Sequence, residues 1–327
     1  MNFLTVAGIS KKSGSGFLLQ NVEIGLQKFK KLAIAGETGS GKSTLLKIIA
    51  GLIQPDAGEV IFGGERILGP EEKLIPGHPK IAYLSQHFEL RNHYFVEELL
   101  EMANKLTAEE VKTINEICRI THLLKRRTHQ LSGGEKQRIA TALLLVTTPK
   151  LLLLDEPYSN LDIAHKKILK AVINDISDRL GITCILVSHD PVDTLSWADE
   201  ILVMKDGEII QKGTPTQVYR QPKNEYVAAL FGSYNLLSYQ QSLHFLPEAK
   251  GETKSTQLFT RPENFTITNN EKNAVMAEVT TVNFLGSYDE IELITEEVKI
   301  FVLSEPGRIK KGELVFVFLN NNESWYI

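Results

Sequence analysis

The run Gly36-Glu-Thr-Gly-Ser-Gly41-Lys42-Ser43 constrains this chain more than any other feature. It follows the apolar stretch Lys31-Leu-Ala-Ile-Ala35 and precedes Thr44-Leu-Leu-Lys-Ile-Ile-Ala50, so it joins an expected strand to an expected helix that stops at Gly51. Glycines at Gly36, Gly39 and Gly41 let the backbone curl until its N–H groups converge, with Ser40 and Thr44 completing the cradle. The helix beginning near Lys42 adds its positive end, and the result is an anion site shaped for phosphates. Lys42 is spaced to reach the β- and γ-phosphates of a nucleotide, and the Ser43 hydroxyl to ligate Mg²⁺. The alternative is a glycine-rich turn that merely caps a helix. The lysine, the hydroxyl and the flanking strand and helix count against it.

Along the first part of the chain, short apolar runs alternate with helical stretches, the pattern of a mostly parallel sheet covered by helices. Lys80-Ile-Ala-Tyr-Leu-Ser85, Leu151 to Leu154 and Thr183-Cys-Ile-Leu-Val187 read as further buried strands. Val96 to Arg127 has almost no glycine or proline and predicts two or three helices inside a helical subdomain of residues 90–147. Asp206-Gly207 between Ile201-Leu-Val-Met204 and Glu208-Ile-Ile210 is a hairpin signal. Helical patterns around Thr216 to Tyr219 and Tyr226 to Phe231 close a first domain, residues 1–232. Composition then shifts to Thr, Val, Phe and Asn. Ala274 to Asn283, Glu290 to Thr295, Val298 to Leu303 and Leu314 to Leu319 read as strands of a small β-barrel, residues 233–327. The expected fold is an α/β P-loop NTPase, with a mostly parallel sheet, an antiparallel β subdomain and a helical insertion, followed by that barrel. The phosphate motif occurs once, so no internal duplication is expected.

Composition excludes several classes. Acidic residues outnumber basic ones, 40 to 36, for a net charge of −4, which argues against a nucleic-acid partner held by a basic surface. Two cysteines, Cys118 and Cys184, cannot build a disulfide framework or a CxxC zinc site, which suits a reducing compartment. No apolar run approaches the about 18 residues of a membrane span. Met1 to Lys12 has neither a basic start nor an apolar core, so no secretory leader is expected and the chain reads as cytosolic.

Two more motifs carry chemistry. Leu151-Leu-Leu-Leu154-Asp155-Glu156 ends a buried strand with two carboxylates, delivered to the sheet edge where ligands of α/β folds bind. Asp155 suits coordination near Mg²⁺. Glu156 points elsewhere and is the candidate for polarising the water that attacks the γ-phosphate. In Leu131-Ser132-Gly133-Gly134-Glu135-Lys136-Gln137-Arg138, Ser132 and Glu135 have the spacing of a capping box. Two glycines between them are unfavourable for capping alone and make sense if backbone N–H groups must approach an anion.

Together these residues resemble the ATP-binding subunit of ABC transporters. Leu131 to Arg138 is similar to the family's signature motif, with Glu135 where glutamine is usual. Gln86 matches the Q-loop glutamine, Ser159-Asn160-Leu161-Asp162 the D-loop, and His189 the switch histidine. The resemblance covers residues 1–232 and implies more than the local chemistry does. Two ATPase subunits would pair head to tail, here as a homodimer, with each ATP between one phosphate loop and the other copy's signature motif, whose Ser132 and Gly134 would contact the γ-phosphate; Gly133 and Asp162 belong to the same nucleotide-binding set. Glu156, His189 and Gln86 would be the catalytic set, and Gln86 would join Ser43 and Asp155 around Mg²⁺ and link the site to the transporter. The implied partners are two transmembrane permease subunits and, indirectly, a solute-binding protein, with this chain peripheral on the inner face of the cell membrane. The family's adenine-stacking aromatic has no clear counterpart: Ser13 aligns with that place, and Phe17 is the nearest substitute.

The C-terminal segment resembles the TOBE domain appended to some importer ATPases, through Arg261-Pro262-Glu263, Val282-Asn-Phe-Leu-Gly286-Ser287 and Gly312. Importers with such a tail carry polyamines, ferric iron or oxyanions, or sugars. The competing class is a non-transport ABC ATPase. Its translation factors usually carry two cores in one chain. The interval between Lys42 and Ser132 is too short for the long coiled coils of chromosome proteins, and two cysteines cannot form a repair protein's zinc cluster.

Overall fold

Strands with apolar side chains on both faces can be satisfied only between two layers, and this chain has a set of them. The computed structural model describes residues 2–14, 16–86, 89–246, 256–269, 271, 274–295, 298–320 and 325–327, without the Phe17 side chain. Two compact units emerge, Met1–Pro215 and Thr216–Ile327.

In the first unit the elements run β1 (Leu4–Ser13), β2 (Gly16–Leu26), β3 (Lys31–Ala35), α1 (Lys42–Ile49), β4 (Ala57–Phe62), β5 (Glu65–Arg66) and β6 (Ile81–Leu84). They continue with α2 (Val96–Ala103), α3 (Ala108–Ile117), α4 (Gly133–Leu145), β7 (Leu151–Asp155), α5 (Ile163–Leu180), β8 (Thr183–Val187), α6 (Pro191–Leu195), β9 (Glu200–Lys205) and β10 (Glu208–Gly213). Six strands form one sheet in the order β10-β9-β3-β8-β7-β6. All its pairings are parallel except β9 with β10. That exception is the expected hairpin, whose turn residues Asp206 and Gly207 both have positive φ, 50° and 81°, as a two-residue turn of this hand requires.

An antiparallel sheet, β2-β1-β4-β5, supplies the antiparallel subdomain. Leu45, Leu46, Ile48 and Ile49 of α1 join one core cluster with Leu32, Leu153 and Val187 of the parallel sheet and Leu4, Val6 and Ile9 of the antiparallel one. Each such side chain contributes about 1.5–3 kcal/mol by leaving water, so α1, which carries the phosphate motif, is fixed from several directions. The helical insertion consists of α2, α3 and a 3₁₀ turn at Thr121–Leu123. A capping box from Thr107 and Glu110 starts α3. Cys118 and Cys184 are buried, and burial pushes both thiols up to about 12, which leaves them chemically inert.

The second unit contains α7 (Pro215–Arg220), which starts at its edge, α8 (Glu225–Leu230), β11 (Asn235–Leu237), α9 (Tyr239–Phe245) and β12 (Leu258–Thr260). Next come β13 (Phe265–Thr268), β14 (Val275–Phe284), β15 (Asp289–Ile294), β16 (Lys299–Ser304), β17 (Leu314–Leu319) and β18 (Trp325–Tyr326). A five-stranded antiparallel sheet has the order β13-β17-β14-β15-β16. Its end strands β13 and β16 come close without pairing, so among the described residues the barrel is curled and not closed by hydrogen bonds. A separate three-stranded sheet, β11-β12-β18, is built from strands on both sides of it in the sequence.

The sequence boundary at residue 232 falls inside this unit, and Arg261 is the physical reason. Its guanidinium, 1% exposed, donates to the carbonyls of Tyr219, Ala228, Gly232 and Ser233 at 3.0–3.2 Å and stacks on Tyr219 and Phe259. The segments around α7 and α8 are therefore tied to the β-strands that follow them.

Candidate functional site

The phosphate loop is bent by glycines that nothing else could replace. A Cβ on Gly36, φ 153°, would lie 2.3 Å from the Met204 carbonyl oxygen, and one on Gly41, φ 98°, 2.7 Å from that of Leu18. Gly39 faces open space, so the loop is tight behind and clear in front. Gly41 is also the N-cap of α1 and offers no side chain to cap it, which leaves the first helical N–H groups for a ligand.

Lys42, 5% exposed, sends its ammonium back across the loop to Gly36 O at 2.8 Å, Glu37 O at 2.6 Å and Ser40 Oγ at 3.2 Å. Burial pushes its pKa below the ordinary lysine value, while Glu156, Asp155 and Glu37 pull in the opposite direction. Ser43, next in α1, donates its hydroxyl to Asp155 Oδ1 at 2.8 Å. The other carboxylate oxygen of Asp155 accepts from Tyr83 OH at 2.8 Å. Burial, then the Asp155 carboxylate, raises the Tyr83 pKa, so the phenol stays a donor. A hydroxyl and a carboxylate held together are hard oxygen donors, and they fit a small divalent cation beside phosphate. Thr44 is half-buried one residue further along α1.

Glu156 departs from Asp155 through an unusual backbone. Its φ is 47°, left-handed for a residue with a Cβ, and its N–H is bonded to Val187 O at 3.0 Å. Backbone strain of this kind costs about 1–3 kcal/mol and is found where a side chain must be aimed. Here it aims the carboxylate at His189, whose Nδ1 lies 3.0 Å from Glu156 Oε2. A cavity of about 290 Å³ is lined by Gln86, Glu156, His189, Ser159 and Asn160, with Ser188 at its wall. The chain thus brings Gln86, Glu156 and His189 to one cavity, and the loop and Asp155 to one hydrogen-bonded cluster.

Ser132, Gly133 and Gly134 stand apart from both groups, at the start of α4. Ser132 Oγ accepts from Glu135 N at 3.3 Å and Glu135 Oε2 accepts from Ser132 N at 2.8 Å, so the capping box is formed. Beyond Gly133 there is open space, whereas a Cβ on Gly134 would sit 2.4 Å from the His165 ring. His165 Nδ1 is in turn 2.7 Å from Asp162 Oδ2, and Asp162 caps α5. The Ser132 and Asp162 segments therefore meet each other. They do not line the cavity of their own chain's Glu156.

Sequence reasoning missed Tyr83, Ser188, Asp193, Lys166 and Lys170. Tyr83 lies in a strand that reads as core, and nothing in its neighbours marks its partner as Asp155. The Phe17 side chain, the candidate for base stacking, lies outside the described residues.

A phosphate cradle with oxygen donors for a cation, at the carboxyl edge of a parallel sheet, is what phosphoryl transfer from a nucleotide requires. Fold and site together define a P-loop nucleoside triphosphatase.

Known proteins narrow the class. The family described as ABC transporter matches residues 19–159. The spermidine/putrescine import ATP-binding protein PotA of Clostridium acetobutylicum is 32% identical over 333 residues, covering 95% of this chain and 92% of that protein. The sulfate/thiosulfate import ATP-binding protein CysA of Synechocystis is 30% identical over 332 residues, with 96% and 92% covered. Among solved structures, the ABC transporter cassette MJ1267 in its ADP conformation matches with a TM-score of 0.60 at 26% identity, over 71% of this chain and 98% of that one. The chain belongs to the import-type ATP-binding subunits of ABC transporters. It is an ATPase that works on ATP with Mg²⁺.

Proposed function

We propose that two copies of this chain enclose ATP and that its hydrolysis drives an importer through two membrane permease subunits fed by a solute-binding protein. The backbone of Gly36, Gly39, Ser40, Gly41, Lys42, Ser43 and Thr44 would hold the phosphates, with Lys42 turning from its loop carbonyls to the β- and γ-oxygens. Ser43, Asp155 and Gln86 would hold Mg²⁺, which supplies charge neutralisation on the phosphates when bound. Glu156 would take the proton of the attacking water, and His189, 3.0 Å from that carboxylate, would keep it oriented and contact the γ-phosphate. Ser132, Gly133, Gly134 and Asp162 would complete the site of the second copy. Their separation from the chain's own Glu156 cavity supports this, because within one chain they have no nucleotide to meet.

The observation that carries the assignment is the left-handed Glu156 with its carboxylate 3.0 Å from His189, at an open cavity and not in a packed core. Steady-state ATPase measurements on Glu156→Gln test it. Turnover falls by roughly 10²–10⁴-fold, the range of a lost general base, while ATP still binds. Unchanged turnover would remove Glu156 from the mechanism.

The cargo is read as a polyamine, a metal or oxyanion, or a sugar; the names of the two relatives that span the chain fall in the first two groups. Similarity to import proteins along both units supports transport over a non-transport ATPase. Among the described residues no helix is long and apolar enough to cross a membrane, so attachment to the inner face would come through the permease subunits. The C-terminal unit is read as a TOBE-like domain, with the first domain ending at residue 232 as a sequence module and near 215 as a packed body.

A further inference from the structure

Along the wall of the same cavity as the Glu156–His189 pair lies a charged cluster, Lys166, Asp190 and Asp193, that the proposed chemistry does not use. Asp193 is 2% exposed, yet its Oδ1 is 3.0 Å from Lys166 Nζ and 2.7 Å from Lys170 Nζ, both on α5. Its Oδ2 accepts from Ser188 Oγ at 3.2 Å. Ser188 Oγ also accepts from Asp190 N at 3.1 Å, and Lys166 Nζ reaches Asp190 Oδ2 at 2.5 Å. Ser188 and Asp190 are the two neighbours of His189, so both flanks of the histidine are tied to one buried carboxylate and one lysine. The His189 side chain itself is 60% exposed, with its ring nitrogen on Glu156. A carboxylate is costly to bury unless it is paired, and a hydrophobic core would fill this space more cheaply.

We propose that Asp193, clamped by Lys166 and Lys170, is a positioning residue that fixes the Ser188–Asp190 turn and so holds His189 against Glu156. The proposal rests on the reading of Glu156 and His189 given above. It also gives α5 a task. The helix starts at its cap Asp162, in the segment that would face the second copy, and Lys166 stands one turn further on. A shift at that end of α5 would reach the turn around His189 through the ion pairs of Lys166 with Asp190 and Asp193.

The test is steady-state ATPase kinetics with separate measurement of ATP binding. Asp193→Asn and Lys166→Met each lower kcat by roughly 10- to 100-fold, the effect of a misplaced catalytic group, and leave KM for ATP and ATP affinity within about twofold. Lys166→Arg, which keeps the charge, retains most of kcat. In a His189→Ala background Asp193→Asn removes nothing further, because the group it positions is gone. Lys166 has a side chain 27% exposed, so Lys166→Met carries the test if Asp193→Asn does not fold. Loss by the same factor in both backgrounds, or a loss expressed as weakened ATP binding, would overturn the positioning role alone. Full turnover in His189→Ala would overturn the reading of His189 and this proposal with it.

Discussion

At Lys42 function and stability pull apart. Burial lowers its pKa, so in the nucleotide-free protein the ammonium is held at a net cost, despite the carbonyls it reaches. The unfolded chain binds that proton more tightly than the folded one. The penalty is therefore fully present below the lowered folded pKa and disappears as pH rises from there to the ordinary 10.5. Lys42→Met should make the nucleotide-free protein more stable to denaturant at pH 7, with the gain vanishing at the alkaline end, and should weaken ATP binding. Chemical unfolding at several pH values, alongside ATP titration, measures both signs. Tyr83 gives a second expectation. Tyr83→Phe removes one of the two donors that hold Asp155, and supporting hydrogen bonds of this kind are worth about 10-fold in metal affinity. The Mg²⁺ concentration for half-maximal ATPase should rise by about that factor while turnover at saturating Mg²⁺ is kept. Asp155 and Glu156 were legible because two acids end an apolar run. Tyr83 was not, since its partner is set by how β6 lies beside β7.

Elements were legible where one physical rule dominates. The strands β3, β7 and β8 are buried on nearly every residue, so a short apolar run sufficed to find them. Four C-terminal strands fell within one residue of expectation for the same kind of reason, their alternation. By contrast, β1 changes register between Val6 and Ile9 and again before Lys12, which breaks the alternation that would have marked it. The short β12 and β13 are separated by the 3₁₀ turn at Pro262–Asn264, leaving each too short to show a period. Arg261, at that turn, is the element-scale test. Arg261→Met strips the donor from four carbonyls, at about 1–3 kcal/mol for each one left unsatisfied in the interior. Unfolding of the full chain should show a loss of about 3 kcal/mol or more confined to the transition of the C-terminal unit. Arg261→Lys should not restore it, because a compact ammonium cannot span acceptors that a planar fork reaches. ATP binding should be unaffected.

On the scale of the whole molecule, the domain boundary shows why sequence composition and packing can disagree. Composition changes after residue 232, but the packed body begins near 215 because α8 and the segment after it hydrogen-bond to Arg261. The nucleotide site shows the complementary limit. Its candidate residues were named one by one in the sequence, but a single chain brings only part of them together. The loop and the Glu156 cavity form locally, while Ser132 to Gly134 and Asp162 gather outside that cavity, and the proposed second copy would bring them to a nucleotide. The most direct measurement of this central claim is the solution mass of Glu156→Gln with and without Mg²⁺ and ATP. The doubled mass of a dimer should appear only when both are present, and should be abolished by Ser132→Arg, which fills the place of the second copy's phosphate. A mass that stays at one chain under saturating ATP, or doubles regardless of nucleotide, would contradict it.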